Sequence, residues 1–216
     1  MVNPFVPNHL ITPPYTLLID LHYLPCLDVM RGMALADEVL IEAHENYQKQ
    51  SYRNRCYVLT SNKIDCLTVP VLHSSRRQPM REVRIDYSQN WIERHLRCLQ
   101  SAYAKSPYFE YLMPEIEQIL NQHHPFLFDL NWSLLTLCRK WLRVKTPVNL
   151  TEWYEKSPAT GVFDARSLIE PGQHTEIGLF GPISRYQQNF GAEFVPNLSV
   201  IDLMFMQTAM SERGKG

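Results

Sequence analysis

The sequence predicts an α/β fold, with α+β as the alternative: an N-terminal mixed sheet with one crossover helix, followed by a mainly helical half. Short β-rich runs are concentrated before about residue 87, whereas apolar residues recur at helical spacing from Ser88 onward. The 216 residues, 45% of them hydrophobic, are enough for a full core. We expect one domain, 15–208, between an N-terminal extension, 1–14, and a disordered tail, 209–216.

The first predicted elements are a strand, a helix and a second strand. "YTLLIDL" (15–21) is a short apolar run preceded by a proline, which is typical of a strand buried on both faces. A loop containing His22 and Pro25 leads to a helix of about ten residues that begins near Cys26, and "EVLIEA" (38–43) is the next apolar run. This order predicts a right-handed parallel crossover.

A β-hairpin is predicted next. "CYVLT" and "IDCLTVPVL" are β-rich runs, and "SNK" between them has the composition of a turn. The segment "REVRIDY" (81–87) alternates apolar and polar residues as a half-buried strand does. We therefore expect the chain to about residue 87 to be mostly sheet.

Three helices are predicted after the sheet. Ser88 is placed to cap the first one, and Ser106 caps a second that Pro114 interrupts or restarts. "DLNWSLLTLCRKWL" (129–142) is apolar on most sides and predicts a buried third helix.

The last third of the chain has weaker signals. Glycine and proline are concentrated between residues 147 and 196, which predicts loops with short strands or turns that cover an edge of the core. "PNLSVIDLMFM" (196–206) predicts a final helix capped by Asn197.

Composition argues against several classes of protein. The formal net charge of −1 provides no overall field for bulk nucleic-acid binding. Five cysteines without paired spacing favour reduced thiols over disulfides and indicate no zinc site, so no metal is expected. The proline-broken N-terminus resembles neither a signal peptide nor a membrane anchor. We expect a cytoplasmic protein without membrane contact; its cofactor and oligomeric state are not predicted.

The candidate site is the loop after the first strand, where open α/β sheets bind ligands and a helix N-terminus favours an anion. His22 lies there and is interpreted as catalytic, either stabilising developing charge or transferring a proton; the alternative is a loop histidine bonded to nearby backbone. The segment "NYQKQSYRNR" either binds an anion through its basic side chains or is a solvated loop paired with Glu42 or Glu45. The predicted substrate-binding residues are Lys49, Arg53, Asn54, Arg55, Tyr23 and Arg97.

Three polar residues are predicted to be structural. His95 lies on the apolar face of its helix, which favours a buried histidine with hydrogen-bond partners. Asp202 interrupts an apolar helix, where an unpaired carboxylate would be costly, so it needs a partner, either a structural donor or an arginine such as Arg53 or Arg55. Asn197 is assigned to helix capping.

Four stretches together resemble the WbqC-like family: "LHYLPC", "KQSYRNR" followed by "LTVPV", "IDYSQNWIERHLRCLQSAYAKSPYFEY" and "FVPNLSVIDLMF". The resemblance covers most of residues 15–205. It implies an association with bacterial O-antigen and surface-polysaccharide gene clusters. The family usually has an aromatic residue where this chain has Cys26, and Gln-Pro where it has Asp20 and Leu21.

The leading hypothesis is an enzyme of bacterial surface-polysaccharide biosynthesis, a transferase or ligase. Its substrate would be a small anionic activated molecule, either a sugar nucleotide or an activated acyl group. The alternative is a non-catalytic interaction or scaffold protein of a glycan-assembly complex, with "SPYFEYLM" and "NWIERHLR" as its contact face. A third possibility is a thiol enzyme built on Cys26 with His22 or His44, because a helix N-terminus can lower a thiol pKa.

Overall fold

A computed structural model describes residues 15–72, 77–172 and 174–207. The predicted N-terminal extension and tail therefore lie outside the described residues. Strand β1 (Thr16–Asp20), helix α1 (Leu27–Leu35) and strand β2 (Glu38–Glu42) form the expected parallel crossover. Residues 17–20 are all buried, as the unbroken apolar run of β1 indicated.

A separate antiparallel hairpin follows this crossover. Strands β3 (Arg55–Leu59) and β4 (Ile64–Thr68) pair along their full length, with Arg55 opposite Thr68. The hairpin confirms the turn expected between the two β-rich runs. It forms a sheet of its own, so the parallel and antiparallel strands are not hydrogen-bonded to each other.

The helical half contains α2 (Trp91–Tyr103), α3 (Phe109–Leu120) and α4 (Leu127–Leu142). Two predicted caps are wrong. Asn90 precedes α2, whereas the Ser88 hydroxyl donates to Asp86 at 2.6 Å. Helix α3 begins at Phe109, three residues after Ser106.

Two further sequence predictions in this region need correction. Pro114 lies inside α3 without ending it, because it is on the exposed face, where water can satisfy the carbonyl that loses its partner. The segment 81–87 is not a strand: a 3-10 turn, Met80–Glu82, leads to single bridges. Val83 and Ile85 are buried. The backbone of this segment bonds on one side with Pro70 and Leu72, which follow β4, and on the other with Pro125 and Leu127 at the start of α4.

The last third of the chain completes the central sheet. Strand β5 (Val148–Leu150) pairs with β2, and β6 (Val162–Asp164) pairs with β1, both in parallel, which gives the order β5-β2-β1-β6. Strands β7 (Ile177–Gly178) and β8 (Gly181–Pro182) form a small hairpin, and α5 (Val200–Met206) is the final helix. The segment 147–196 thus supplies both outer strands of the sheet.

Asn197 caps a different helix from the one expected. The residue before α5 is Ser199, whereas the Asn197 Oδ1 accepts a hydrogen bond from the backbone N–H of Asp28 at 3.0 Å. The carbonyl of Leu198 accepts the N–H of Leu27 at 3.0 Å. The segment before α5 therefore satisfies the first turn of α1.

No helix in the part of the chain that the structure describes is long and apolar enough to cross a membrane.

Candidate active site

The carboxyl ends of three parallel strands bring acidic side chains to one edge of the sheet. Asp20 ends β1, Glu42 ends β2 and Asp164 ends β6. Asp20 and Glu42 are buried, at 2% and 0% exposure, so each needs a counter-charge. Two arginines from loops supply it. We use the name carboxyl-edge cluster for Asp20, His22, Glu42, Glu45, Arg53, Asp164 and Arg166.

Arg53 lies at the centre of the first half of this cluster. Its guanidinium donates from Nε and Nη2 to the two oxygens of Glu45, at 2.7 and 2.5 Å. Its Nη1 lies 3.3 Å from Oδ2 of Asp20. Burial lowers the pKa of Arg53, but the charges of Asp20 and Glu45 outweigh it and raise that pKa. Two carboxyl groups therefore contact one buried guanidinium.

Asp20 links Arg53 to His22. Burial favours the neutral acid, but His22 and Arg53 together hold the pKa of Asp20 well below its usual range. Because Asp20 is a carboxylate, Nε2 of His22 is the donor in their 2.8 Å contact. Nδ1 of His22 is buried and has no hydrogen-bond partner within the described ranges. The Tyr52 ring stacks on the imidazole, with the ring centres 5.1 Å apart.

Ser167 adopts a backbone conformation that residues other than glycine rarely adopt, with φ of +56°. Its N–H donates to Oδ1 of Asp20 at 2.7 Å, and its hydroxyl oxygen accepts from Nη2 of Arg53 at 3.0 Å. Gln48 donates to the same oxygen at 2.9 Å. These bonds hold the strained turn in place, and the turn fixes the orientation of Asp20.

Arg166 is the centre of the second half of the cluster. It donates from Nε and Nη2 to the two oxygens of Asp164, at 2.9 and 2.7 Å, and from Nη1 to Oε2 of Glu42 at 2.7 Å. The bonds to Asp164 raise the pKa of Arg166 in spite of burial. The other oxygen of Glu42 accepts from the His44 N–H and the Thr151 hydroxyl, so this buried carboxylate is fully paired.

A cavity of about 500 Å³ opens beside the cluster. Residues of the segments 44–48 and 164–167 line it, together with Tyr154 and Lys156. Glu45 lies in this lining with 5% of its surface exposed. Burial, with the carboxylates of Asp20 and Glu42, raises the pKa of Glu45 to about 7 in spite of Arg53. Glu45 is thus a cavity-lining carboxyl that can gain or lose a proton near neutral pH.

The structure brings only some of the predicted site residues together. His22 and Arg53 share Asp20, although His22 is not among the described residues that line the cavity. Lys49 is exposed on a turn, whereas Arg53 is buried, so the two do not share an environment. The phosphate-binding role predicted for Arg53 remains a prediction, and its guanidinium already contacts two carboxyl groups.

The remaining predicted binding residues have different surroundings. Asn54 is buried and donates to the carbonyl of Val69 at 2.9 Å, and Arg55 is half-buried at the start of β3. Arg97 is exposed and paired with Glu93 on α2.

Tyr23 and His95 form a buried pair away from the cavity. The Tyr23 hydroxyl lies 2.9 Å from Nδ1 of His95, and burial lowers the pKa of His95 to about 4. His95 is therefore a neutral ring inside the core at physiological pH.

Asp202 has structural donors as its partners, one of the two alternatives expected. It accepts from the hydroxyls of Tyr103 and Tyr186, at 2.6 and 2.5 Å, and from Gln188 at 3.1 Å. Arg53 cannot serve it, because that guanidinium is held at the sheet edge. Burial raises the pKa of Asp202, although these three donors favour the charged form.

Helix α1 offers neither an anion site nor an activated thiol. The N–H groups of Leu27 and Asp28 are already bound by the segment before α5. Cys26 is fully buried, and burial raises the pKa of its thiol to about 12. Both expectations based on the dipole at this helix start are therefore wrong.

Sequence reasoning assigned no site role to several members of the cluster. Asp20 and Glu42 could have been found, because a carboxylate at the end of a fully apolar strand needs a buried partner. Asp164 and Arg166 lie in a stretch without periodicity, which carried no signal. Across the described residues, no group of three or more His, Cys, Asp or Glu side chains could hold a metal ion.

Comparisons with known proteins agree with the sequence resemblance. An uncharacterized protein of Mycobacterium tuberculosis, Rv1507c, is 26% identical over 213 residues, which cover 87% of this chain and 91% of the relative. No solved structure matches. The model of the WbqC-like protein family matches residues 21–169, more than half of the chain. The chain therefore belongs to the WbqC-like protein family.

Proposed function

We propose that the protein is an enzyme that acts on a small polar substrate in the cavity beside the carboxyl-edge cluster. The observation that carries this proposal is the placement of Glu45. Glu45 lines the cavity, Arg53 holds both of its carboxyl oxygens, and its pKa is about 7. A general acid or base works best when its pKa is close to the operating pH.

The proposed reaction is a group transfer to a hydroxyl or amino group. The hydroxyl or amino group attacks the activated centre of the second substrate while Glu45, as a carboxylate, removes its proton. The bond to the leaving group breaks, and the electron pair leaves with it. The proton on Glu45 then passes to the leaving group or to water, which restores the carboxylate.

The rest of the cluster positions Glu45 in this proposal. Arg53 fixes the carboxyl plane through two hydrogen bonds, and Asp20 holds Arg53 from the other side. His22, predicted to be catalytic, reaches the cavity only through Asp20 and Arg53. We therefore assign His22 a positioning role: its hydrogen bond holds the Asp20 carboxylate that contacts Arg53.

The substrate class follows from the lining of the cavity and from the family resemblance. Lys156 supplies positive charge, while Arg166 is bound to Asp164 and Glu42 and lies 4.8 Å from the centre of the Tyr154 ring. An anionic activated substrate of surface-polysaccharide biosynthesis, a sugar nucleotide or an activated acyl group, fits this mixed polar lining. A cytoplasmic location, expected from the cysteine content, would give access to such substrates.

The scaffold alternative has less support from the two segments suggested for it. Trp91 in "NWIERHLR" is buried at 4% exposure, and Leu112 and Met113 in "SPYFEYLM" are buried in the core. Tyr111, at 68% exposure, is an exposed aromatic of these segments. One such side chain is normal for a protein surface.

Binding and turnover with matched variants test the enzyme proposal. We would screen sugar nucleotides and acyl thioesters by thermal shift against the wild type, Glu45→Gln and Glu93→Gln, an exposed control on α2. A ligand at about 100 times its Kd adds about 2.7 kcal/mol to the free energy of unfolding. With the ligand class found, Glu45→Gln should lower kcat by about 100-fold or more, and Glu93→Gln should leave it unchanged. Unchanged turnover in Glu45→Gln would contradict the proposal.

A further inference from the structure

A second cavity, of about 660 Å³, lies between α1, the C-terminal end of α4, the segment 183–186 and α5. We call it the basic cavity. It shares no lining residue with the cavity beside the carboxyl-edge cluster. Its volume is within the range of small-molecule binding sites. The role proposed for Glu45 makes no use of it.

Positive charge is concentrated in the basic cavity. Its lining contains Arg31, Arg143, Lys145 and Arg185, and no Asp or Glu among the described residues. Nε of Arg31 donates to the Phe180 carbonyl at 2.9 Å, which fixes that guanidinium on the cavity wall. Arg185 is exposed and pairs with Glu176. Arg31 interacts with the charge of Asp28, so the exposed Arg143 and Lys145 contribute most to the positive potential of the cavity.

The same cavity has an apolar wall. Leu27 of α1, Leu142 of α4 and Leu203 of α5 line it, each at 4–5% exposure. Ile183 lines it as well. A ligand that fits both the cations and this wall carries a negative charge at one end and an apolar group at the other.

The backbone of Arg143, at the end of α4, has an unusual conformation beside the basic cavity. Helix α4 ends in a Schellman motif, in which the N–H of Val144 donates to the Arg139 carbonyl and that of Arg143 to the Lys140 carbonyl, at 3.0 and 3.3 Å. Arg143 has a φ of +56°, the left-handed conformation that this motif usually gives to glycine. An arginine here is conformationally strained, and its side chain lines the basic cavity.

We propose that the basic cavity binds an organic phosphate, meaning a phosphate or diphosphate ester of an apolar group. The phosphate contacts Arg143, Lys145 and Arg185, whose N–H groups form charge-assisted hydrogen bonds with its oxygens. The apolar group packs against Leu27, Leu142 and Leu203. The alcohol of this ester is either a long alkyl or prenyl alcohol or a nucleoside, whose base supplies the apolar surface, and both sources share this chemistry.

Isothermal titration calorimetry at low salt, on the full chain, tests the proposal with three probes. Inorganic pyrophosphate measures the charged end alone, decyl phosphate adds an alkyl group, and ADP adds a nucleoside. The test variant, Arg143→Gly with Lys145→Ala, removes two cations and places glycine where the helix end favours it. The control, Lys63→Ala with Lys105→Ala, removes two exposed lysines outside the cavity.

We expect decyl phosphate or ADP to bind more tightly than pyrophosphate, and the tighter of the two identifies the source of the ester. The test variant should weaken binding by about tenfold or more, which corresponds to about 1.4 kcal/mol, and the control should change it by less than about twofold. Equal weakening by both variants would overturn the proposal, because the effect would then come from overall charge. Lack of binding by all three probes, or no gain from either apolar group, would overturn it too.

Discussion

Replacement of Arg53 by alanine is expected to leave two buried carboxylates without their counter-charge. The Arg53 side chain is 1% exposed, makes two hydrogen bonds to Glu45, at 2.7 and 2.5 Å, and lies 3.3 Å from Asp20. Removing one partner of a buried ion pair costs about 3–5 kcal/mol, because the other charge stays buried. We therefore expect Arg53→Ala to lower the free energy of unfolding by about 3–5 kcal/mol at pH 8.

This loss should depend on pH. In the wild type, the pKa of Asp20 is lower in the folded protein than in the unfolded chain, where it is about 4. The stabilisation from Asp20 is therefore complete above about pH 4 and is lost as pH falls through the folded-state pKa. Without Arg53, burial raises the pKa of Glu45 further, whereas His22 and the N–H of Ser167 still lower the pKa of Asp20. The folded variant then binds protons that the unfolded chain has released, and its stability falls as pH rises above about 4. The deficit should therefore be smaller at pH 5 than at pH 8.

Urea denaturation followed by tryptophan fluorescence at the two pH values measures this effect. Arg53→Lys keeps the positive charge but loses the bidentate geometry, so it should be destabilised less and should stay folded if Arg53→Ala does not. Arg97→Ala removes an exposed arginine, whose ion pair is worth about 0–1 kcal/mol. A deficit below about 1 kcal/mol for Arg53→Ala at pH 8, or an equal deficit at both pH values, would refute the reasoning.

Three other outcomes follow from the structure. Asn197→Ala should lower the free energy of unfolding by about 1 kcal/mol, measured by urea denaturation, because α1 loses its cap; Asn197→Asp keeps the acceptor and should cost less, and equal losses would contradict the capping role. Arg143→Gly should raise stability by about 1 kcal/mol, and a lower Tm would argue against strain at φ of +56°. Mass spectrometry after iodoacetamide treatment of the native protein at pH 7 should find Cys66, which is partly exposed, labelled before buried Cys26; the opposite order would show that Cys26 is activated.

Local patterns were sufficient for the parts of the fold that depend on near neighbours. The crossover of β1, α1 and β2 was indicated by apolar runs, the hairpin of β3 and β4 by its turn composition, and the helices α2 to α4 by helical spacing. The predicted caps Ser88 and Ser106 were wrong, because capping depends on where the chain turns, to within one or two residues. Asn197 also could not be placed, since the helix that it caps begins 170 residues earlier in the chain.

The candidate site required the tertiary structure. The sequence by itself determined that the loop after β1 lies at the carboxyl edge of a sheet and which family the chain resembles. It also predicted that His22 lies near the segment containing Arg53, and both side chains contact Asp20. Only the structure decided that β6 pairs with β1, which brings Arg166 and Ser167 to Glu42 and Asp20. The physical reason is that a three-residue strand has too little periodicity to be recognised, and its pairing is set by long-range packing and not by its own residues.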